Sequence, residues 1–500
     1  MMDLQPFLKQ DAIFSLLQVM VNNRTARHRV IDYIAQKTFK DMVEDNVDNR
    51  PRQVQVDKYH YIMALLYGLD RAIDQKLMSR HVIRRFTDIF LNKVVLNEEQ
   101  PTAAKELGFD PPMIIVISPT GRCNLRCTGC YAASDPDNHP SLDYQTFDRI
   151  IREKRKLWHS YFTVISGGEP LLWRDGDVGF VDMIASHPDE MFMFYTNATL
   201  ITDEVARRFG ESGNVSPAIS VEGFEEETDA RRGRGIYRKV LEAMERLRKY
   251  GVPFGISATP TRHNWQVITS EKFVDFFFFE QGAIYGWYFQ YMPVGRGQTL
   301  DLMVPPAERL EMLRRTRRFV EEKKVFIADF WNSATGSSGC ISSGRSGGYY
   351  YIDWNGNITP CVFVPYAVDN IYRVFADGGD INTPLTSPLF SRIRAWQDEY
   401  GYKKPPDQID NWLCPCVIRD HFGVLKEAVT QCQARPINAE AAEALRDESY
   451  CQGMIRYGQE MKRLTDPIWR REFLDGERQQ VESVPAKREK PVELLEAGVI

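Results

Sequence analysis

The sequence predicts an α/β fold in which a partial (βα)6 barrel lies between a helical N-terminal domain and a small C-terminal domain. Three observations predict this order. Apolar residues recur at helical spacing within residues 1–108, six short apolar runs alternate with helical stretches within 109–330, and a glycine- and serine-rich stretch with cysteines follows. Apolar runs that recur at intervals of about 30 to 45 residues are typical of crossover units in a parallel sheet.

Residues 1–108 are predicted to be helical. Apolar side chains spaced by three and four, as on one helix face, occur at Ile13, Leu16, Leu17 and Met20 and again at Ile83, Phe86, Ile89 and Phe90. We expect a helical lid or docking domain here. The alternative is peripheral contact of the first amphipathic helix with a membrane surface, because Arg24, Arg27 and Arg29 lie close to it.

The predicted barrel strands are six apolar runs: MIIVIS, YFTVIS, MFMFYT, VSPAIS, PFGISATP and IYGWYFQYMP. Runs that are apolar throughout fit strands that are buried on both faces of a sheet. Six units are too few for a complete eight-stranded barrel, so we expect an open, TIM-like partial barrel over residues 109–330. Its last helix, PPAERLEMLRRTRRFVEEKK, begins with prolines, which suit a helix N-terminus.

A separate small domain is predicted over residues 331–435, where five of the nine cysteines lie. It contains the segment DWNGN, whose Asn-Gly pair is a good signal for a β-hairpin turn. A helical extension is expected over 436–500, with a poorly ordered tail from about residue 476.

The composition indicates an ordinary globular protein, with 43% hydrophobic residues, 26% charged residues and a net charge of −5. There is no excess of basic residues, so nucleic acid is not an expected partner. Neither a long apolar run nor a secretory signal pattern is found, so we expect a cytoplasmic protein. Thiols stay reduced there, and clustered cysteines then favour metal binding or catalysis over disulfides.

Three cysteines, Cys123, Cys127 and Cys130, lie close together in the segment CNLRCTGC. The segment follows the first predicted strand, at the end of the barrel where active sites are built. A structural zinc ion normally takes four protein ligands, and no fourth cysteine lies nearby. Three thiolates suit an iron–sulfur cluster with one iron open to a small ligand, and zinc or purely structural cysteines are the alternatives.

At this segment the sequence resembles the radical S-adenosylmethionine (SAM) superfamily, whose signature is cysteine, three residues, cysteine, two residues, cysteine. The resemblance implies a 4Fe–4S cluster on Cys123, Cys127 and Cys130 and SAM bound to its open iron. One-electron cleavage of SAM would then give a 5'-deoxyadenosyl radical that abstracts hydrogen from a substrate. Many members carry an aromatic residue before the third cysteine. This chain has Gly129 there and an aromatic residue, Tyr131, just after it.

The second predicted strand ends in Gly167, Gly168 and Glu169, which resemble the superfamily motif that receives the methionine amino group. Glycine lets the backbone come close to a ligand, although a double glycine is also a common turn.

The resemblance also implies contacts to the ribose and carboxylate of SAM from residues at later strand ends, namely Asn197, Ser220, Glu222 and Arg232. An arginine suits a carboxylate because it can donate two parallel hydrogen bonds. The neighbours Arg231 and Arg234 leave the register of this contact open, and Asn and Ser at strand ends are also frequent helix caps. Further candidates for adenine or ribose contacts are Thr259, Asn264 and Gly295.

Cys340, Gly356 and Cys361 resemble the opening of the auxiliary-cluster domain of SPASM and Twitch members of the superfamily. The expected partner cysteines are Cys414 and Cys416 in the segment CPC. The resemblance implies one auxiliary 4Fe–4S cluster on Cys340, Cys361, Cys414 and Cys416. Cys432 or His421 could replace one ligand, and a zinc site with the same four ligands is the alternative. Cys451 is expected to be a buried thiol without a role.

In relatives with such domains the substrate is commonly a peptide or protein side chain, so a maturase-type oxidoreductase is expected, with a flavodoxin or ferredoxin as electron donor. The helical N-terminal domain lacks the strand-rich pattern of a leader-peptide recognition module. Radical modification or C–C coupling of a lipid, isoprenoid or small molecule is the alternative if Trp287, Phe289 and Tyr291 line a pocket instead of filling the core. A non-catalytic iron–sulfur electron carrier is the third possibility.

Overall fold

The computed structural model describes residues 23–95, 97, 100–137 and 140–476. The predicted first helix around residues 13–20 and the predicted tail after residue 476 lie outside the described residues. None of the described helices is both long and apolar enough to cross a membrane.

The described strands are β1 Ile114–Ile117, β2 Phe162–Ile165, β3 Arg174–Asp175, β4 Val178–Gly179, β5 Met191–Thr196, β6 Val215–Val221, β7 Gly255–Ala258, β8 Tyr285–Tyr288, β9 Phe326–Asp329, β10 Tyr349–Ile352, β11 Asn357–Thr359, β12 Tyr366–Ala367, β13 Asp369–Asn370 and β14 Arg435–Pro436. Ten of them form one sheet, in the order β13-β11-β10-β1-β2-β5-β6-β7-β8-β9. All neighbours from β10 through β9 pair in parallel.

Helices connect most of these strands. The α-helices are α1 Arg24–Phe39, α2 Arg52–Asp74, α3 Arg80–Phe86, α4 Gln100–Leu107, α5 Tyr144–Trp158, α6 Phe180–Ser186, α7 Asp203–Ser212, α8 Glu225–Arg232, α9 Ile236–Lys249, α10 Trp265–Ile268, α11 Glu271–Val274, α12 Pro306–Glu321, α13 Ile371–Ala376, α14 Pro388–Gln397, α15 Phe422–Gln431, α16 Ala439–Ala444 and α17 Glu448–Ile468. Short π-helical segments are Lys40–Glu44, Thr87–Val95, Asp275–Glu280, Asp398–Tyr402 and Trp469–Leu474.

The predicted α/β class with a partial parallel barrel is confirmed. All six predicted runs form strands, β1, β2, β5, β6, β7 and β8, and these are consecutive in the sheet. A seventh parallel strand, β9, was not expected, because FIAD is a short run that directly follows a long helix. Within the described residues the sheet is open, with β9 at one end and β13 at the other.

The sheet continues across the boundary predicted between residues 330 and 331. Strand β10 pairs in parallel with β1, and the predicted DWNGN turn connects β10 to β11 as an antiparallel hairpin. The Asp353 side chain orders this turn, because it accepts hydrogen bonds from the backbone of Asn355 and Asn357, both at 2.8 Å. The residues of the predicted auxiliary domain therefore extend the barrel sheet directly.

Helix α5 illustrates how the helices cover the sheet. Its sequence places Phe147, Ile150, Ile151 and Trp158 on one face, and all four are fully buried. Asp143 begins the helix by accepting a hydrogen bond from the Thr146 amide at 2.8 Å. Burying an aliphatic or aromatic side chain of this size stabilises the fold by about 1.5–3 kcal/mol.

The N-terminal helices pack beside β9, the last strand of the sheet. Tyr61 in α2 donates a hydrogen bond to Ser333 Oγ at 2.6 Å, just beyond β9, and its ring lies edge-on to Phe326. Two arginines near the predicted membrane-contact helix are already paired, Arg24 with Asp74 and Arg27 with Asp70. Their charges are therefore engaged by carboxylates of α2.

A buried ion pair joins α5 to the sheet. Lys154 Nζ lies 2.6 Å from Glu190 Oε1, and neither side chain is exposed. The ammonium also donates to Ser160 O at 2.9 Å, and the carboxylate accepts from Thr163 Oγ1 at 2.6 Å. Burial lowers the pKa of Lys154 and raises that of Glu190, while each partner opposes this effect on the other.

Replacing Glu190 with Gln is expected to lower the free energy of unfolding by about 3 kcal/mol or more, because it leaves a buried ammonium without its counter-charge. Urea-induced unfolding followed by circular dichroism measures this loss. The matched control is Asp203→Asn, which breaks the exposed pair with Lys249 and is expected to change stability very little. An equal, small effect of both substitutions would contradict the assignment.

Candidate functional site

A cavity of about 470 Å³ lies at the carboxyl ends of the parallel strands and extends between them. It is lined by residues from both cysteine groups and from several strand ends. The predicted residues that line it are Cys123, Cys127, Cys130, Gly167, Gly168, Asn197, Ser220, Arg232, Thr259, Cys340, Cys361 and Cys416. Glu169, Glu222, Asn264, Gly295 and Cys414 are not among its lining residues.

The cysteine loop, residues 121–134, folds over the end of β1. The Cys123 amide donates to Asp135 O at 2.9 Å, and the Ala133 amide donates to Cys130 O at 3.1 Å. Gly129 has φ +66°, and a Cβ atom there would lie 2.6 Å from the ring of Tyr291. The local packing therefore explains why this chain has glycine where an aromatic residue is common.

Two close approaches bring the cysteine loop onto the end of β2. The Tyr131 hydroxyl makes a hydrogen bond with Ser166 Oγ and accepts one from the Gly167 amide at 3.3 Å. A Cβ atom on Gly168 would overlap the carbonyl of Arg122 in the loop. The double glycine is thus required for contact between the two segments, whatever ligand binds beside it.

Glu169 is fully buried behind the cavity wall. Its carboxylate accepts hydrogen bonds from Thr196 Oγ1 and the Asn197 amide, both at 2.8 Å. Burial raises the pKa of Glu169 to about 7, although these donors oppose the rise. In this arrangement the carboxylate joins the ends of β2 and β5.

Asn197 connects β5 to the cysteine loop. Its Nδ2 atom donates to Asn124 Oδ1 at 2.9 Å and lies 3.8 Å from Cys123 Sγ. A side-chain amide beside a cysteine sulfur is suited to orient a thiolate ligand. Burial raises the pKa of Cys123 to about 12, so a thiolate there needs a nearby cation.

Glu222 is the buried counter-charge of two arginines. It forms ion pairs with Arg231 and with Arg232, and accepts a hydrogen bond from the Thr259 amide at 3.0 Å. Arg232 lines the cavity, and Arg231 donates from Nε to Thr128 O in the cysteine loop at 3.1 Å. Glu222 therefore positions both Arg231 and Arg232, which are neighbouring side chains on one carboxylate.

The residues predicted at the later strand ends differ in whether they reach the cavity. Ser220 and Thr259 lie at the cavity surface. Asn264 is buried in the turn after β7, where it donates to Glu222 O at 2.9 Å. Gly295 packs directly on the backbone of Cys130 and Tyr131.

Arg296 was not predicted from the sequence, although it is a main support of the cysteine loop. Its guanidinium donates to Ser134 O at 2.6 Å, Ala133 O at 3.1 Å and Cys127 O at 3.3 Å. The only sequence signal for it is the position of the segment GRG, directly after the sixth predicted strand.

Three of the four predicted auxiliary cysteines also line this cavity: Cys340, Cys361 and Cys416. Burial raises the pKa of Cys361 to about 12, and Cys340 adds to the rise. Burial also raises the pKa of Cys416, to which both other thiols contribute. Tyr349 Oη is 2.9 Å from Cys361 Sγ, as in a hydrogen bond to a sulfur ligand.

Cys414 does not line the cavity. Its sulfur is 3.7 Å from Tyr400 Oη and 3.8 Å from Thr465 Oγ1. The alternatives raised from the sequence are also placed elsewhere. His421 Nε2 is hydrogen-bonded to Cys414 O, Cys432 follows the last residue of α15, and Cys451 is buried in α17.

Among the described His, Cys, Asp and Glu side chains, one group, His28, Asp70 and Asp74, brings three ligand atoms within 4.8 Å of one another.

Replacing Arg296 with Ala is expected to loosen the cysteine loop, because three loop carbonyls lose a charged donor. Hydrogen exchange of amides within 121–134 should accelerate about tenfold, corresponding to the loss of one charge-assisted hydrogen bond. Mass spectrometry of the deuterated peptides measures this rate.

The matched control for this loop is Arg126→Ala. Arg126 lies in the same loop but is half exposed and pairs with Asp137 instead of loop carbonyls. Exchange that accelerates equally in both variants would show that Arg296 does not hold the loop.

The chain is similar in sequence to several known proteins. Residues 117–269 match the family model described as the Radical SAM superfamily. The mycofactocin maturase MftC of Mycolicibacterium smegmatis is 29% identical over 304 residues, which cover 58% of this chain and 74% of that protein. The AdoMet-dependent heme synthase of Nitratidesulfovibrio vulgaris is 26% identical over 327 residues, which cover 59% and 84%.

Among solved structures, SuiB of Streptococcus suis bound to its precursor peptide SuiA aligns with a TM-score of 0.47 and 19% identity, covering 60% of this chain and 71% of SuiB. The structure of anSMEcpe with bound AdoMet and the Cp18Cys peptide aligns with a TM-score of 0.47 and 16% identity, covering 72% and 98%.

The segment CNLRCTGC and the double glycine both lie within the matched residues 117–269. The resemblance inferred from them is therefore confirmed at the level of this domain. Residues 117–269 match a radical SAM domain, and the chain is an enzyme.

Proposed function

We propose that this enzyme cleaves SAM reductively at the cysteine loop and abstracts a hydrogen atom from a substrate held in the adjoining cavity. The observation that carries the proposal is the convergence of Cys123, Cys127, Cys130 and the strand-end residues on one cavity. A 4Fe–4S cluster on these cysteines would supply one-electron cleavage of SAM to a 5'-deoxyadenosyl radical.

Residues of the chain have distinct proposed roles in holding SAM. Arg232 lies at the cavity surface and is suited to bind the methionine carboxylate. Gly167 and Gly168 allow the methionine end to approach the backbone. Glu169 is the proposed acceptor of the amino group, because a cation beside this buried carboxyl would favour its charged form.

Ribose and adenine contacts are proposed for Asn197, Ser220 and Thr259. Glu222 supports Arg232 from behind and fixes its orientation, since the two are joined by hydrogen bonds from Nε at 2.8 Å and Nη2 at 2.5 Å. Glu222 is thus a positioning residue.

A second, auxiliary 4Fe–4S cluster is proposed on Cys340, Cys361 and Cys416, in a domain of SPASM/Twitch type over residues 331–435. The three thiols face the same cavity as the cysteine loop. A substrate in that cavity would therefore lie between the two metal sites, and an external donor such as a flavodoxin or ferredoxin would supply electrons.

A peptide or protein side chain stays the substrate expected from sequence, and the name of the mycofactocin maturase supports it. The lining of the cavity favours the second candidate, an apolar chain, because its charged side chains, Arg231, Arg232 and Asp329, all have partners within the protein. Both candidates require the same SAM cleavage.

Cleavage is tested with anaerobically reconstituted protein, dithionite and SAM, by measuring 5'-deoxyadenosine with liquid chromatography and mass spectrometry. We expect release from the unchanged chain and only background release from the triple variant C123A/C127A/C130A. Cys432→Ala is the matched control, because it removes a thiol that does not line the cavity. No release from either protein would favour an electron carrier, and equal release from both would contradict cleavage at the cysteine loop.

The ligands of the auxiliary cluster are tested by iron content in the C123A/C127A/C130A background, where about four irons per chain should remain. Adding Cys416→Ala should remove them, whereas adding Cys414→Ala should leave them, because the Cys414 sulfur faces Tyr400 and Thr465. If Cys414→Ala removes the iron as completely as Cys416→Ala, Cys414 is the fourth ligand, as predicted from the sequence.

A further inference from the structure

We propose that the lumen of the barrel binds an extended aliphatic or isoprenoid chain, so that the substrate is a lipid-like molecule. The lumen is the part of the cavity enclosed by β1, β2 and β5–β9, on the side away from the cysteine loop. The inference deepens the proposed function and rests on it for the chemistry, whereas the binding of the chain is argued from the lining alone.

The lumen runs along the length of the strands. Ile114, Phe162 and Phe326, which line the cavity, are the first residues of β1, β2 and β9. The cysteine loop lies at the opposite, carboxyl end of β1. A strand of four residues spans about 13 Å, so the cavity is deep enough for an extended chain and is more than a shallow cleft.

The lumen is open because small residues occupy a row that larger side chains would fill. Ser220, Ser257, Trp287 and Ala328 lie side by side on β6, β7, β8 and β9, in the register of the sheet. All four line the cavity. The interiors of barrels of this kind are normally filled by bulky branched side chains. Three small residues around Trp287 therefore leave space inside this one.

The lining carries little charge. Among the lining residues in the part of the chain that the structure describes, the acidic and basic side chains are Arg231, Arg232 and Asp329. The two arginines are paired with Glu222, and Asp329 accepts hydrogen bonds from Gln290 Nε2. A peptide backbone in the lumen would lose its hydrogen bonds to water and find few partners in exchange, whereas a hydrocarbon chain has none to lose.

Aromatic rings form much of the wall. Trp287 and Phe289 are stacked with their ring centres 6.3 Å apart, and Phe289 lies 5.3 Å from Tyr195 across the lumen wall. Flat rings offer extensive apolar contact to a flexible chain at a low entropic penalty of their own. The sequence left open whether Trp287 and Phe289 are core or pocket residues, and both lie at the cavity surface.

Unpaired polar atoms occur near the carboxyl end of the lumen, where the reacting part of a substrate would lie. Gln290 and Trp331 are each 1% exposed, and Gln290 Oε1 and Trp331 Nε1 have no hydrogen-bond partner. Both residues line the cavity just beyond the ends of β8 and β9. One acceptor and one donor suit a hydroxyl or ester group at the end of an apolar chain.

Trp287 Nε1 is likewise buried without a partner, midway along the lumen. Tyr61 of the N-terminal helices completes the wall beside β9, where the sheet has no further strand. The helical region thus contributes directly to the lumen, and Tyr61 occupies space that a longer chain would need.

The test uses the reconstituted full-length protein and straight-chain 1-alkanols of increasing length, with binding measured by isothermal titration calorimetry. We expect one site per chain and an affinity that rises about three- to fourfold per added methylene. The rise should stop at the length that fills the lumen.

Variants locate the site. Ala328→Leu is expected to weaken binding of the longest alkanol at least tenfold, because it fills the space beside Trp287. Ser257→Leu, on the other side of Trp287, is the second variant should the first not fold. Tyr61→Ala is expected to move the limit to longer chains. The control is Ala185→Leu, the same kind of change at an exposed position of α6.

The outcomes separate the two proposals. Saturable binding at one site that depends on chain length and is weakened by Ala328→Leu supports the lumen as a chain-binding site, even if no 5'-deoxyadenosine is released. Absence of such binding, or equal affinities of the Ala328→Leu and Ala185→Leu variants, overturns it. Release of 5'-deoxyadenosine without alkanol binding would leave the proposed cleavage intact and favour a peptide or a small polar molecule as substrate.

Discussion

The site depends on hydrogen bonds from arginine side chains that fix the position of the cysteine loop. The loop has few backbone hydrogen bonds of its own, and guanidinium groups from two later segments donate to its carbonyls. Arg231 extends from the end of α8 and is fixed by Glu222, and Arg296 extends from the segment after β8. The parallel strands end at the same edge of the sheet. Arginine side chains 100 or more residues away in the sequence can therefore donate hydrogen bonds to the carbonyls of one loop.

The parallel sheet also brings two clusters of cysteines to the same cavity. The sheet continues from β1 into β10, and Cys340 after β9 and Cys361 after β11 line the same cavity as the cysteine loop. Burial raises the pKa of Cys123 in one group and of Cys361 and Cys416 in the other, so a nearby cation would favour the thiolate forms of these three residues. Between them the lining is aromatic and aliphatic, which selects for substrates that lose little on leaving water.

Much of this could be read from the sequence. The six barrel strands, the Asn-Gly hairpin and the three-cysteine segment are local patterns, and each of them has its counterpart in the structure. Strand β9 was missed because its three apolar residues and one aspartate, after a long helix, give no periodicity. The contacts of Arg296 and the direction of the Cys414 side chain could not be predicted from the sequence, because both depend on tertiary packing. The open lumen was also beyond local patterns, because Ser220, Ser257 and Ala328 become neighbours only through strand register.

The most direct test of the account is whether SAM binds to the metal centre on the cysteine loop. Electron–nuclear double resonance of the reduced protein, with SAM labelled with ¹⁵N at its amino group, reports this contact. The account predicts a ¹⁵N coupling to the cluster on Cys123, Cys127 and Cys130, which disappears when those residues are alanine and persists when Cys340, Cys361 and Cys416 are replaced. A reduced cluster on the cysteine loop that shows no coupling to the labelled nitrogen would contradict it.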